Sequence, residues 1–179
     1  FVVERSIDNQ SFIELINNLS PDLTTYNDVS LNAATTYFYR VYATNPGGNS
    51  GYSDTAYAVT FPEPPLKPGN FSAEALSGSQ ILLGWQDSGN ESHYVLQRFG
   101  GSSNVYTTIS DNIASDMTSF IDNNIESGLT YFYRLKAVNT GGESPYSDEA
   151  SVSVTNSSGC QWLCNGEMMY VDSGKVGIG

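Results

Sequence analysis

Apolar and polar positions alternate along much of this chain, in runs too short to be helices. In ILLGWQD (Ile81 to Asp87), Ile81, Leu83 and Trp85 fall on one side and Leu82, Gly84 and Gln86 on the other. That is the period-two pattern of a half-buried strand, here with a large aromatic near its end. HYVLQRF (His93 to Phe99) does the same with Tyr94 and Leu96 on one face. VYTTIS, TSFID, TYFYRLKAVN and EASVSVT follow as further strand-like runs, divided by turn-forming clusters such as DSGNES and GGSSN. Short strands punctuated by turns roughly every 8 to 12 residues, with no helix-period segment between them, predict an all-β fold built as an antiparallel sandwich.

One stretch occurs twice. YFYRVYATNPGGNSGYSD (Tyr37 to Asp54) returns as YFYRLKAVNTGGESPYSD (Tyr131 to Asp148), 94 residues later. In the second copy Tyr131, Tyr133, Leu135 and Ala137 share one face, with Phe132, Arg134 and Lys136 on the other. In the first copy Tyr37, Tyr39, Val41 and Ala43 point inward and Phe38, Arg40 and Tyr42 outward. Each strand runs into an Asn and then a glycine pair, Gly47-Gly48 or Gly141-Gly142. Glycine takes up positive φ without steric cost, which suits a tight hairpin. A repeat on this scale predicts two copies of one β domain. The first spans residues 1–61, the second residues 62–155, and a tail covers residues 156–179. Between the copies, FPEPPLKPG (Phe61 to Gly69) carries Pro62, Pro64, Pro65 and Pro68 and reads as a semi-rigid extended connector.

The residues that carry this pattern resemble the fibronectin type III family in its bacterial form. Trp85 sits where the family keeps a core Trp on its second strand. FVVERS (Phe1 to Ser6) and YVLQRF (Tyr94 to Phe99) resemble its third strand. IESGLTYFYRLKAVN resembles its corner and sixth strand, with Ser127 and Leu129 in place of the usual Pro and Thr, and YSD resembles the entry into its last strand. The resemblance implies tandem immunoglobulin-like (fibronectin type III) antiparallel β-sandwiches. It also implies a buried Trp85, and corner tyrosines at Tyr37 and Tyr131 whose rings are buried and whose hydroxyls bond back to upstream backbone. The first copy begins at its third strand, so the chain is expected to be a fragment of something longer or to lack the first two strands. In the tail, MMYV and KVGI read as two short strands around the turn DSG. GKVGIG, with a Trp and NG upstream, resembles tail segments of large surface and fibre proteins of the Bacteroidetes group and suggests that more chain follows.

Charge narrows the partners. Seven Lys and Arg stand against 19 Asp and Glu, a formal net charge of −12. Such a surface repels phosphate backbones and anionic lipid heads, which argues against nucleic acid and membrane-surface binding. No apolar run approaches the about 18 residues of a membrane span, so membrane insertion is not expected either.

Candidate chemistry is sparse. Cys160 and Cys164 are the only cysteines and His93 the only histidine. A zinc site needs about four ligands, and a redox motif would be C-x-x-C beside a helix. The exported character implied by the resemblance favours a local Cys160–Cys164 disulfide over free thiols. His93 has no nucleophile and orienting carboxylate in its sequence context. Asp87 and Glu91, or Asp122 and Glu126, could be imagined as a glycosidase pair or calcium ligands, but they read as solvated turn residues. GKVGIG lacks the context of a phosphate loop. No catalytic residue, metal ligand or cofactor site is therefore assigned. The outward stripe Phe38, Arg40, Tyr42 has two readings: aromatics flanking a cation that stack on sugar rings, or cross-strand packing. The expected role is non-catalytic: a spacer or stalk in a larger secreted or cell-surface bacterial protein, partnered by neighbouring domains of the same chain. Two alternatives stand beside it. One is an accessory module of a secreted polysaccharide-degrading enzyme. The other is an adhesive module binding glycan or another surface protein.

Overall fold

A computed structural model describes residues 1–155 and, in the tail, the strands at 162–164, 167–172 and 175–178. The chain divides into two compact units, Phe1–Glu63 and Pro64–Gly179. All regular structure in the described residues is β, and every strand pair is antiparallel. The division falls inside the proline-rich connector. Its second half is not a free tether, because Pro65 and Pro68 are buried in the second unit.

The first unit contains β1 (Val2–Ser6), β2 (Ile13–Ile16), β3 (Thr36–Tyr42), the two-residue strands β4 (Thr44–Asn45) and β5 (Gly48–Asn49), and β6 (Ala56–Val59). They form one four-stranded sheet in the order β2-β1-β3-β6, with the β4-β5 hairpin extending from β3. Residues 17–35 form no strand, and Leu19, Pro21, Leu23 and Tyr26 line a groove with Val3, Tyr39 and Val41 of the sheet.

The second unit adds β7 (Gly69–Ser77), β8 (Gln80–Gln86), β9 (His93–Gly100), β10 (Ser103–Ala114), β11 (Ser119–Asp122), β12 (Thr130–Asn139), β13 (Gly142–Glu143) and β14 (Ala150–Ser153). Here there are two sheets, β11-β8-β7 and β10-β9-β12-β13, with β14 also pairing β12. Ile81, Leu83 and Trp85 of β8 meet Tyr94 and Leu96 of β9 and Tyr131, Tyr133, Leu135 and Ala137 of β12 in one core. Register shows that the first unit's sheet corresponds to one layer of this sandwich. Val3 pairs Val41 and Arg5 pairs Tyr39, as Leu96 pairs Leu135 and Arg98 pairs Tyr133. The tail strands β15 (Trp162–Cys164), β16 (Glu167–Asp172) and β17 (Lys175–Ile178) make a separate antiparallel sheet.

The repeated stretch has a local explanation in both copies. The Asn side chain closes the hairpin. Asn45 Oδ1 accepts the Gly47 N–H at 2.8 Å, and Asn139 Oδ1 accepts those of Gly141 and Gly142 at 2.7 and 3.1 Å. The second glycine of each pair has positive φ, +128° at Gly48 and +144° at Gly142, a conformation that disfavours a side chain. Beyond the hairpin the chain runs beside the long strand but is held by serines. Ser147 Oγ accepts the Leu135 N–H and Ser144 Oγ accepts that of Ala137; Ser53 and Ser50 do the same for Val41 and Ala43. Each serine N–H returns a bond to the same partner's carbonyl.

One backbone position differs between the copies. Ala34 has φ +49° where the second copy has Gly128 at φ +83°. The left-handed conformation costs a non-glycine residue about 1–2 kcal/mol. Ala34→Gly is therefore expected to stabilise the first unit by about 0.5–1 kcal/mol, after the extra chain entropy of glycine is offset. Chemical denaturation followed by a probe in residues 1–63 checks this.

Candidate functional site

The most organised polar chemistry is a network that occurs once in each unit. In the second unit Arg98, on β9, donates from Nη1 to Asp122 Oδ2 at 2.8 Å and to the Asn124 carbonyl at 2.6 Å. The Tyr133 hydroxyl, from β12, donates to the same Asp122 oxygen at 3.0 Å. Asp122 ends β11 in the opposite sheet and is 5% exposed, so the network ties the two layers together. Its other oxygen accepts the Asn124 N–H at 3.0 Å. In the first unit Arg5 donates to both Asp28 oxygens at 3.1 and 2.9 Å, and the Tyr39 hydroxyl donates to Oδ2 at 2.9 Å. Both arginines also lie over the ring of a corner tyrosine, Arg98 over Tyr131 and Arg5 over Tyr37.

The electrostatics follow from burial. Burial pushes the Tyr133 hydroxyl well above the ordinary phenol range, and the Asp122 carboxylate adds to the effect. Tyr39 is pushed up to about 12, first by burial and then by its bond to Asp28. The hydrogen bond to Asp28 raises the Arg5 pKa further. These groups hold their protons firmly, so they are poorly suited to general acid–base work near neutral pH.

On the outer face a second arrangement recurs. The Arg40 guanidinium lies between the rings of Phe12 and Tyr52, 4.0 and 3.7 Å from their centroids, and donates to Glu4 at 2.7 Å. Arg134 lies between Tyr106 and Tyr146 at 3.9 and 4.1 Å and donates to Gln97 at 2.8 Å. Within the stripe Phe38, Arg40, Tyr42, Phe38 packs on Tyr57 at 6.2 Å and Tyr42 meets Tyr52 edge-on at 5.4 Å. The cation at the centre of the stripe is thus stacked by two of this chain's own rings.

The corner tyrosines lie in matching places. The Tyr131 ring is buried, and its hydroxyl accepts the Glu126 N–H at 2.8 Å and donates to the Glu126 carbonyl at 3.4 Å. Tyr37 accepts the Asn32 N–H at 2.9 Å. Tyr131→Phe leaves that amide without its acceptor and is expected to destabilise the second unit by about 1 kcal/mol. Urea denaturation of the two proteins side by side checks it. Trp85 is buried at the core end of β8, against Phe71 and Tyr94.

Of the carboxylates, Asp122 departs from the expectation of a solvated turn residue: the crossing of β11 over β9 brings Arg98 and Tyr133 onto it. Asp87, Glu91 and Asp116 come together, with ligand oxygens within 4.8 Å of one another. They are the residues that could hold a divalent cation among those described. The Tyr94 hydroxyl already donates to Asp87 at 2.8 Å, and with this and the Gly89 N–H the Asp87 pKa is lowered. His93, at the start of β9, meets Ser92 Oγ at 3.1 Å through its ring. Cys160 and the side chain of Cys164, with the expected disulfide, lie outside the described residues.

The second unit thus combines two sheets in this strand order, a buried Trp on β8 and a tyrosine corner before β12. Residues 66–153 match the fibronectin type III domain. Protein sidekick-1 of Gallus gallus is 30% identical over 95 residues, which is 52% of this chain and 4% of the relative. Protein sidekick-1 of Homo sapiens is 31% identical over 88 residues, 48% of this chain and again 4% of the relative. The chain therefore spans only a small part of the curated relatives it matches. Among solved structures, the FN1-FN3 domains of chicken CNTN1 superpose with a TM-score of 0.58 at 19% identity, over 87% of this chain and 53% of that one. That likeness shows the fold. The fibronectin type III match lies within the second unit and spans its network of Arg98, Asp122 and Tyr133. No helix among the described residues is long and apolar enough to cross a membrane.

Proposed function

We propose that this chain is a non-catalytic module of a larger secreted or cell-surface protein, acting as a spacer or stalk that holds neighbouring domains of the same polypeptide apart. One observation carries the reading: the polar constellations that recur in both units close on themselves. The arginines stack on, or bond to, this chain's own tyrosines and carboxylates, and the buried tyrosines are held protonated. Such a design keeps a bead folded and leaves its recurring charged groups little to offer a substrate. The match of residues 66–153 to a domain type that builds multidomain proteins supports the same reading. The bacterial setting rests on the sequence resemblance of the two copies and the tail. An acidic coat of net charge −12 keeps linked beads from associating.

The reading is tested by a glycan-array screen of the whole chain together with single-molecule extension. A spacer gives no saturable glycan binding and a cooperative unfolding event for the second unit. Saturable binding to one glycan class, abolished by Arg40→Ala, would replace it with the adhesive reading.

A further inference from the structure

Among the described residues, the buried side-chain polar atoms without a hydrogen-bond partner gather in one short stretch: Trp85 Nε1, Ser88 Oγ and Glu91 Oε2. Each of these atoms exposes less than 1 Å². A buried polar group normally finds a partner, and a charged one left without is the most costly case. Glu91 Oε2 is therefore the atom that asks for an explanation: a carboxylate oxygen closed off from solvent that accepts nothing.

Glu91 does not stand alone. Asp87 lies on the same turn, residues 87–92 between β8 and β9, and Asp116 lies on the turn between β10 and β11. The ligand oxygens of the three come within 4.8 Å of one another. Two bonds fix this meeting of turns. The Trp85 N–H donates to the Thr118 carbonyl at 3.0 Å, and the Tyr94 hydroxyl holds Asp87 Oδ1 at 2.8 Å. No basic side chain of the described second unit answers the three carboxylates. Lys67, Arg98 and Lys136 are paired with Asp148, Asp122 and Glu143, and Arg134 is stacked between Tyr106 and Tyr146. Like charges were thus brought together around a buried, unsatisfied oxygen with no positive group to balance them.

We propose that Asp87, Glu91 and Asp116 form a calcium site that clips the turn before β9 to the turn before β11. The donors are all oxygens, which selects a hard cation over zinc or copper. Calcium takes its ligands at 2.3–2.6 Å, so oxygens on opposite sides of it stand about 4.6–5.2 Å apart, whereas magnesium draws them to about 4.0–4.2 Å in a strict octahedron. The spacing here suits calcium. Glu91 supplies the inner oxygen. Asp87 and Asp116 are exposed, which leaves a path for entry and room for the waters that complete the shell. The site goes beyond a spacer's needs: it makes the rigidity of one end of the second sandwich depend on the calcium outside.

The test is the whole chain, stripped of metal with a chelator and melted with and without millimolar calcium chloride. Calcium is expected to raise the melting temperature of the second unit by about 4 °C or more, and magnesium by less. Terbium, excited through Trp85 and Tyr94, is expected to give a saturable emission that calcium displaces. Asp116→Asn keeps a side chain that tolerates the φ of +64° found there, and it is expected to weaken calcium binding about 10-fold or more. Glu91→Gln does the same, and its amide can still donate to Asp87 as a protonated Glu91 would, so the fold is retained. Asp111→Asn, exposed and outside the cluster, leaves the calcium response intact. A melt unchanged by calcium would overturn the proposal. So would a calcium response that persists in both Asp116→Asn and Glu91→Gln, which places the ion elsewhere, or a melt that answers to acid but not to calcium, which makes Asp87 and Glu91 a proton-sharing pair.

Discussion

Asp122→Ala is expected to cost the second unit about 3–5 kcal/mol, the loss typical of breaking a buried ion pair by removing one partner. Asp122 is 5% exposed and its partner Arg98 has a side chain 17% exposed, so little water is at hand to replace the carboxylate. The substitution strands the Arg98 guanidinium and the Tyr133 hydroxyl together, and it takes the acceptor from the Asn124 N–H. Guanidinium denaturation of the full chain, followed by circular dichroism, measures it. Arg98→Ala in the same background separates the contributions, since residues acting through one network lose less together than the sum of their separate losses. Asp28→Ala in the first unit is expected to cost less. Its segment is bound by no ladder, and its partner Arg5 is 21% exposed. A shift at Asp122 below about 1 kcal/mol would mean that the network is exchanged for water at little cost.

Trp85→Ala is expected to cost about 3–5 kcal/mol, as large aromatic truncations in packed cores do. The ring is 6% exposed and lies 5.5 Å from Tyr94 and 6.4 Å from Phe71 between centroids. Its Nε1 has no hydrogen-bond partner among the described residues. Trp85→Phe removes that N–H while keeping an aromatic in the space, so it is expected to recover more than half of the loss. Thermal melts of the three proteins, read by tyrosine circular dichroism, decide it. Equal losses for Ala and Phe would show that the indole N–H is bonded in solution.

The strands were legible because each buries one face and wets the other, and a period of two records that division directly. ILLGWQD shows it cleanly: Ile81, Leu83 and Trp85 are buried and their neighbours are not. The Arg–Asp–Tyr network was not legible in the same way. Asp122 sits among Asn123 and Asn124, a composition that reads as a wet turn, and only the crossing of two sheets brings Arg98 over it. Its signal lay in the repeat: Arg5, Asp28 and Tyr39 stand 93 or 94 residues before Arg98, Asp122 and Tyr133. The two readings of Arg40 could not be separated from sequence either. Of the rings that sandwich it, Phe12 lies outside the repeated stretch and Tyr52 beyond its glycine hairpin. The serines of GYSD and PYSD looked like family spelling, and their reason appears only when their hydroxyls are seen beside β3 and β12.

Those serines bear on how the protein behaves when crowded. The upper halves of β3 and β12 would otherwise offer a regular row of amides and carbonyls, the template on which strands of different molecules stack into aggregates. Here side-chain hydroxyls take the amides of Val41, Ala43, Leu135 and Ala137, and the serine amides take the facing carbonyls. In the second unit the segment that does this includes Pro145, which has no N–H to offer in turn. A strand arriving from another molecule finds an irregular border there instead of a ladder, so this boundary of each sheet resists concentration-driven fibril growth without needing a charged residue at every rung.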